Sequence, residues 1–175
     1  MKTERTRFSE LCDWTESIVL AVVVVVLLFT FVGRTSVVSG SSMVPTLHSG
    51  DLLLVSRLGD EAAAGSIVVV TKPYSGGEPL IKRVIATEGQ MIDVNFDLGV
   101  VFVNGEMIDE PYVSGPTNVS FDMEFPATVP EGCVFCMGDN RNGSYDSRAV
   151  EIGMIDTRYI LGRVVFRLKK GNSEK

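Results

Sequence analysis

The sequence predicts a mainly β protein, in which one compact antiparallel β-sheet or barrel-like domain follows a single N-terminal transmembrane helix. Three observations predict this class. Residues 17–33 carry no charge and are almost entirely apolar, which is typical of a membrane span. Short runs of β-branched residues then alternate with Gly and Pro, as in strands joined by turns. Finally, Asn104-Gly105 separates two apolar arms, and this pair is a strong hairpin signal.

The length and the charge of the chain exclude several classes of protein. Its 175 residues suffice for one membrane segment and one domain with a core of ordinary size. The net charge of -6 argues against a nucleic-acid partner, because phosphate binding requires a basic surface. The single histidine, His48, and the pair Cys133 and Cys136 do not form the two ligand sets of a zinc site. We therefore expect a monomer without metal, cofactor or nucleic acid.

The apolar segment predicts a transmembrane helix over residues 14–34, close to the lower length for a spanning helix. A cleaved secretory signal is the main alternative, with Val38 and Gly40 as the small residues before the cut. The apolar stretch is longer than an ordinary signal core, which favours a retained anchor. A buried helix of a soluble protein is a third option, disfavoured because nothing else in the chain would cover it.

The basic residues before this segment predict its orientation. Lys2, Arg5 and Arg7 precede it, and basic residues stay on the cytoplasmic side of a membrane. Residues 1–13 are therefore predicted to be cytoplasmic. The rest of the chain is expected on the outer face of the cell membrane, with the lipid bilayer as a partner.

Residues 35–168 have the pattern of a β-rich domain, in which apolar, β-branched runs predict the strands. Residues 109–130 contain four prolines and predict a small ribbon or loop insertion. The polar, basic residues 169–175 predict a flexible tail. The predicted strands are 35–38, 51–57, 66–71, 80–87, 133–137 and 159–168, together with the hairpin 100–108.

Cys133 and Cys136 lie three positions apart in a predicted strand, so their side chains are expected on opposite faces of the sheet. A disulfide between them would have poor geometry, and we expect both to be unpaired.

The residues themselves suggest one reaction. Ser42 lies two positions after Gly40 and precedes a proline-containing turn, and a serine attacks an amide only if a nearby group removes its proton. The one histidine, His48, lies in a polar turn. A histidine in such a turn is more often exposed to solvent than catalytic. Lys82 lies among apolar strand residues, and burial there would lower its pKa and favour the neutral amine. An edge-strand lysine that points to solvent remains the alternative at this point.

Four motifs together resemble bacterial type I signal peptidases. They are Ser42-Met43-Val44-Pro45-Thr46-Leu47, the stretch 50–55, Ile81-Lys82-Arg83-Val84 and the segment 138–148, in the order that the family has. The resemblance implies a membrane-anchored serine endopeptidase that removes signal peptides from exported preproteins. It also implies cleavage after small-x-small sequences such as Ala-x-Ala.

The resemblance implies a role for each matching residue. Ser42, rather than Ser41, would be the nucleophile, and Lys82 the general base of a Ser/Lys dyad; relatives of the endoplasmic-reticulum kind have histidine at that position. Ser144 would hydrogen-bond the lysine amine. The remaining matches, expected to have structural roles near the site, are Gly138, Asp139, Asp146 and Arg148.

One departure from the family concerns the oxyanion. Some members place a serine where this chain has Gly40, so stabilisation here is expected to come from backbone N–H groups, that of Ser42 above all. We expect the substrate to bind as an extended strand at a sheet edge. The candidate lining residues, for each of which packing in the core is the default expectation, are Met43, Leu47, Leu80 and Ile81.

Two other functions are compatible with the sequence. One is a peptidase with the same dyad dedicated to a pilin-type precursor. The other is a membrane-tethered β-domain that binds peptides without cleaving them, for which a missing serine or lysine would be the natural signature.

Overall fold

The computed structural model describes residues 2–31, 33–59, 62–71 and 79–171, and within the first helix it describes the side chains of residues 12–26. The chain divides into two compact units, Met1–Arg34 and Thr35–Lys175. The side chains of Lys2, Arg5 and Arg7, the predicted basic residues before the apolar segment, are not among those described. The predicted tail from residue 172 onward lies outside the described residues.

The first unit is one α-helix, α1, over Lys2–Phe31. Its described apolar side chains are exposed, from Trp14 at 71% to Val26 at 55%. Among the described residues, no helix holds an apolar stretch of the length needed to cross a membrane. The predicted span over 14–34 extends beyond the side chains that are described.

The second unit consists of two β-sheets. The larger sheet has seven strands: β1 (Arg34–Val37), β2 (Leu52–Ser56), β3 (Ile67–Val70), β4 (Leu80–Thr87), β9 (Cys133–Met137), β10 (Ile155–Asp156) and β11 (Ile160–Lys169). Their order in space is β1-β2-β11-β3-β4-β9-β10. The smaller sheet has the order β7-β6-β5-β8 and comprises β5 (Met91–Asn95), β6 (Val100–Val103), β7 (Glu106–Met107) and β8 (Ala127–Thr128).

The prediction of a mainly β, antiparallel domain is confirmed, since every strand pairing with a described register is antiparallel. The Asn-Gly hairpin is also confirmed: β6 pairs with β7, and Asn104 and Gly105 have φ angles of 54° and 81°. Positive φ at both positions is what a tight two-residue hairpin turn requires. The sequence interpretation missed three strands, namely β5, β8 and β10.

Strand β9 is covered on both faces, which explains its uninterrupted apolar sequence. Val134 and Cys136 point into a cluster with residues of β3 and β4. Phe135 and Met137 point into a second cluster, formed with residues of the smaller sheet. Cys133 packs against this second cluster, and both cysteines are free thiols. The expectation of two unpaired cysteines on opposite faces is therefore confirmed.

A third apolar cluster fixes the loop between β1 and β2. Met43 and Leu47 from this loop pack with residues of β2, β3 and β4, and Met43 is only 1% exposed. Complete burial of such a side chain stabilises the fold by about 1.5–3 kcal/mol. The loop that carries Ser42 is thus held against the sheet.

The C-terminal end of the domain is ordered beyond the predicted boundary. Strand β11 continues to Lys169, and the backbone N–H of Gly171 donates to Asp51 Oδ1 at 2.7 Å. Arg167 also donates to the carboxylate of Asp51, which is buried at 1% exposure. Residues 169–171, predicted as part of a flexible tail, are therefore attached to the start of β2.

Candidate active site

Ser42 lies in a turn that is closed by backbone hydrogen bonds. The N–H of Val44 donates to the carbonyl of Ser41 at 3.1 Å, and the N–H of Leu47 donates to that of Met43 at 2.9 Å. Gly40 enters this turn with a φ of 83° and no atom within 4 Å of the position that its Cβ would take. Gly40 is therefore exposed at the start of the turn, and Ser42 is half-buried.

The structure brings Ser42 and Lys82 together, although 40 positions separate them in sequence. Lys82 Nζ lies 2.8 Å from Ser42 Oγ. Lys82 is 3% exposed and is paired in register with Val68 of β3. The alternative of a solvent-facing edge lysine does not describe this side chain.

Burial lowers the pKa of Lys82 below its ordinary value, because the charged amine loses its hydration, and the nearby Arg148 acts in the same direction. Asp146 opposes the shift by attracting the ammonium form. Burial also raises the pKa of the Cys136 thiol, so this neighbour stays uncharged. The net effect favours a neutral amine that can accept a proton.

The start of the 138–148 segment lies directly against the Ser42 turn. A Cβ on Gly138 would come within 2.5 Å of the Ser42 carbonyl oxygen and within 2.2 Å of Ser144 Oγ. Only glycine permits this approach. The next residue but one, Asn140, donates its backbone N–H to the same Ser42 carbonyl at 2.9 Å and its side-chain amide to the Ser41 carbonyl at 3.2 Å.

Asp139 joins the two halves of the site. Its carboxylate accepts from Nε of Arg83 at 2.8 Å and from Nη2 at 2.7 Å, and Arg83 follows Lys82 in β4. The hydroxyl of Thr46, in the Ser42 loop, donates to the same carboxylate at 2.5 Å. The ring of Tyr112 lies 3.9 Å from the Arg83 guanidinium carbon. The buried carboxylate thus fixes the serine loop relative to the lysine strand.

Asp146 and Arg148, which were expected to have structural roles near the site, form an ion pair in which both side chains are 0% exposed. Arg148 also donates to the backbone carbonyls of Val119, Arg141 and Ser144. Asp146 accepts the N–H of Gly138 at 2.9 Å. Since each charge has several partners, the pair holds the segment 138–148 in one shape.

Ser144 is buried near the site, but the hydrogen bond that the resemblance implies is not formed. Its hydroxyl oxygen has no hydrogen-bond partner among the described residues. Gly138 is its close neighbour.

The four candidate lining residues mostly belong to the core. Met43, Leu47 and Ile81 are buried together in the third apolar cluster, and Leu80 alone is partly exposed. Along β4, pairing with β9 begins at Arg83. Within the part of the chain that the structure describes, residues 80–82 therefore pair with β3 on one side only.

Sequence reasoning missed Thr46, Arg83 and Asn140 as neighbours of the site. All three lie inside the motifs that resemble the signal peptidases. Their contacts join segments that are far apart in the chain, and only the positions of these residues within the motifs pointed to them.

A serine hydroxyl in contact with a desolvated amine is an arrangement suited to nucleophilic catalysis, and such chemistry is compatible with a hydrolase. The family described as "Signal peptidase, peptidase S26" matches residues 11–169. The chain belongs to this family and is accordingly a serine endopeptidase.

Similar proteins come from several bacteria. The chain is 37% identical to "Signal peptidase I" of Bacillus caldolyticus over 160 residues, which cover 85% of this chain and 86% of that protein. It is 34% identical to "Signal peptidase I T" of Bacillus subtilis over 175 residues, covering 94% and 89%. A crystal structure of a signal peptidase I from Enterococcus faecalis is similar at 26% identity, with a TM-score of 0.48, over 59% of this chain and 96% of that one.

Proposed function

We propose that this protein removes signal peptides from exported preproteins with a Ser/Lys dyad formed by Ser42 and Lys82. One observation carries the proposal: the 2.8 Å contact between Ser42 Oγ and the buried Nζ of Lys82. Membership of the signal peptidase family supports the choice of substrate.

The reaction begins with neutral Lys82, which accepts the proton of Ser42 as Oγ attacks the scissile carbonyl carbon. The tetrahedral intermediate collapses to an acyl-enzyme when the C–N bond breaks and the Lys82 ammonium protonates the leaving amine. Lys82 then accepts a proton from water as the water oxygen attacks the ester carbonyl, and it returns this proton to Ser42 Oγ when the C–Oγ bond breaks and the carboxylate product leaves. The Ser42 N–H stabilises the oxyanion in both steps.

The substrate is proposed to bind as an extended strand along residues 80–82, where β4 has no second strand neighbour among the described residues before Arg83. Alternate side chains of a bound strand face the protein, and a small-x-small sequence places its two small residues on that side. This geometry supports cleavage after Ala-x-Ala.

The decisive measurement is cleavage of a purified preprotein with an Ala-x-Ala site. Ser42→Ala is expected to lower kcat/KM by on the order of 10⁴-fold or more, because it removes the proposed nucleophile. Ser114→Ala, at an exposed loop position, is the matched control and is expected to cleave normally. Normal cleavage by Ser42→Ala would refute the dyad. A panel that includes a pilin-type precursor shows whether the substrate range is general or dedicated.

The apolar segment 17–33 is proposed to anchor the protein in the cell membrane, with residues 1–13 on the cytoplasmic side and the peptidase domain outside. The absence of charge in this segment supports the proposal. After cell lysis, the full chain is expected in the membrane fraction, resistant to alkaline extraction. The double variant Val22→Lys, Val25→Asp is expected to be released. Recovery of the unaltered chain in the supernatant would contradict the anchor.

A further inference from the structure

We propose that Asn140 is a positioning residue for oxyanion stabilisation: its side-chain amide orients the peptide group between Ser41 and Ser42, so that the Ser42 N–H is directed at the reacting carbonyl. The inference deepens the proposed function and rests on it, because the N–H concerned belongs to the proposed nucleophile.

Asn140 contacts the carbonyl groups on both sides of Ser42. Its side-chain Nδ2 donates to the carbonyl oxygen of Ser41 at 3.2 Å, and its backbone N–H donates to that of Ser42 at 2.9 Å. No hydrogen bond from the Ser42 N–H itself occurs within the described part of the chain. A free N–H next to the serine hydroxyl is what an oxyanion donor requires.

Because the peptide group is planar, the hydrogen bond from Asn140 Nδ2 to the Ser41 carbonyl also sets the direction of the Ser42 N–H. The Ser41–Ser42 peptide bond is trans, since the cis bonds are at other positions. In a planar trans peptide the C=O and the following N–H point in opposite directions. A donor that holds the Ser41 oxygen on one side therefore fixes the direction of the Ser42 N–H on the other.

Gly40 makes this orientation more important. It carries no hydroxyl that could help to bind the oxyanion, and its positive φ of 83° is readily accessible to glycine and leaves its backbone more freedom than other residues have. The Ser41 oxygen has a second donor, the Val44 N–H at 3.1 Å, which lies within the same turn. Asn140 is the donor that ties this peptide to a different segment of the domain.

The surroundings of Asn140 keep its amide in place. The Gly143 N–H donates to the Asn140 carbonyl at 2.9 Å. A Cβ on Gly143 would come within 2.5 Å of Asn140 Nδ2, so glycine at this position leaves room for the amide. Asn142 lies two positions further on but has other partners, since its side chain bonds Asn118, Val119 and Pro116.

The test compares two ligands with the same recognition sequence. A peptide aldehyde ending in Ala-x-Ala adds Ser42 Oγ to its carbonyl carbon, and the former carbonyl oxygen then occupies the oxyanion position. The corresponding peptide alcohol cannot form this bond and reports ground-state binding only. Asn140→Ala is expected to weaken aldehyde inhibition about tenfold and to lower kcat about as much, while alcohol binding and KM stay unchanged.

Asn142→Ala is the matched control, because it removes the same side chain from the same segment; it is expected to leave the aldehyde-to-alcohol affinity ratio unchanged. Asn140→Asp, which has the same shape but no Nδ2 donor, is the second variant should Asn140→Ala fail to fold. An unchanged ratio in the folded Asn140 variant, or an equal loss for both ligands, would overturn the role of Asn140. Failure of the dyad looks different: the aldehyde would then keep its advantage over the alcohol in Ser42→Ala.

Discussion

Replacing Lys82 with methionine is expected to abolish cleavage and, at neutral pH, to raise the melting temperature. Loss of the general base removes a contribution on the order of 10³-fold or more to the rate. The gain in stability follows from burial: a lysine whose pKa is lowered in the fold must give up its proton, or be buried charged, when the chain folds. Methionine fills a similar volume without that cost.

The stability gained in Lys82→Met is expected to depend on pH. Between the lowered pKa of folded Lys82 and the ordinary lysine pKa of 10.5, the unfolded chain binds more protons than the folded one, so the free energy of unfolding rises with pH. The slope from this group is about 1.4 kcal/mol per pH unit. The stability advantage of Lys82→Met is therefore expected to shrink as the pH approaches 10.5.

Thermal unfolding of both proteins across this pH range, with preprotein cleavage in parallel, checks the prediction. Lys169→Met, which alters an exposed lysine of β11, is the control and is expected to change neither property much. A stability difference between Lys82→Met and the unaltered protein that does not vary with pH would show that Lys82 is not forced towards its neutral form by folding.

Removing the carboxylate of Asp146 is expected to cost about 3–5 kcal/mol in the free energy of unfolding, because Arg148 is left buried without its counter-charge. Both side chains are 0% exposed. The Gly138 N–H also loses its acceptor, and Gly138 lies against the Ser42 carbonyl. Cleavage by Asp146→Ala should therefore fall together with stability.

Denaturant unfolding and the pH profile of kcat/KM test this second prediction. Asp146 attracts the ammonium form of Lys82 and raises its pKa, so the acid limb of the profile should move to lower pH in Asp146→Ala. Arg158→Gln is the control, because the Arg158–Asp156 pair leaves the arginine side chain 85% exposed and such pairs contribute little. An Asp146→Ala protein as stable as the unaltered one would contradict the structural role of the ion pair.

The strands that could be predicted from the sequence are those with long β-branched runs. Strand β4 and strand β9 begin and end at the predicted residues. Strand β5 was missed although Met91–Asn95 alternates between exposed and buried positions. Two of its five residues, Asp93 and Asn95, are polar, so it contains no continuous β-branched run. Strands β8 and β10 are two residues long. They are strands because they pair with β5 and β9, and so short a segment has no recognisable sequence pattern.

The site was predictable only in part, and for a physical reason. Spacing alone left the direction of Lys82 open, since a strand residue points to one face or the other according to what covers it. The resemblance selected Ser42 and Lys82. Met43 and Leu47 lie close to Ser42 in sequence, but their side chains pack in the core, which was the default expectation for both. Thr46 and Asn140 could not be placed because their partners belong to distant segments.

The two ends of the peptidase domain meet at one residue. The N–H of Val38 donates to the Asp51 carbonyl at 2.9 Å, and the N–H of Gly171 donates to the carboxylate of the same residue. A circularly permuted polypeptide, with a short linker joining residue 171 to residue 38 and new termini opened in the loop at 109–117, would lose β1 but keep every other strand pairing of the two sheets. We expect such a permuted chain to fold and to bring Ser42 and Lys82 together, although its segments follow one another in a different order.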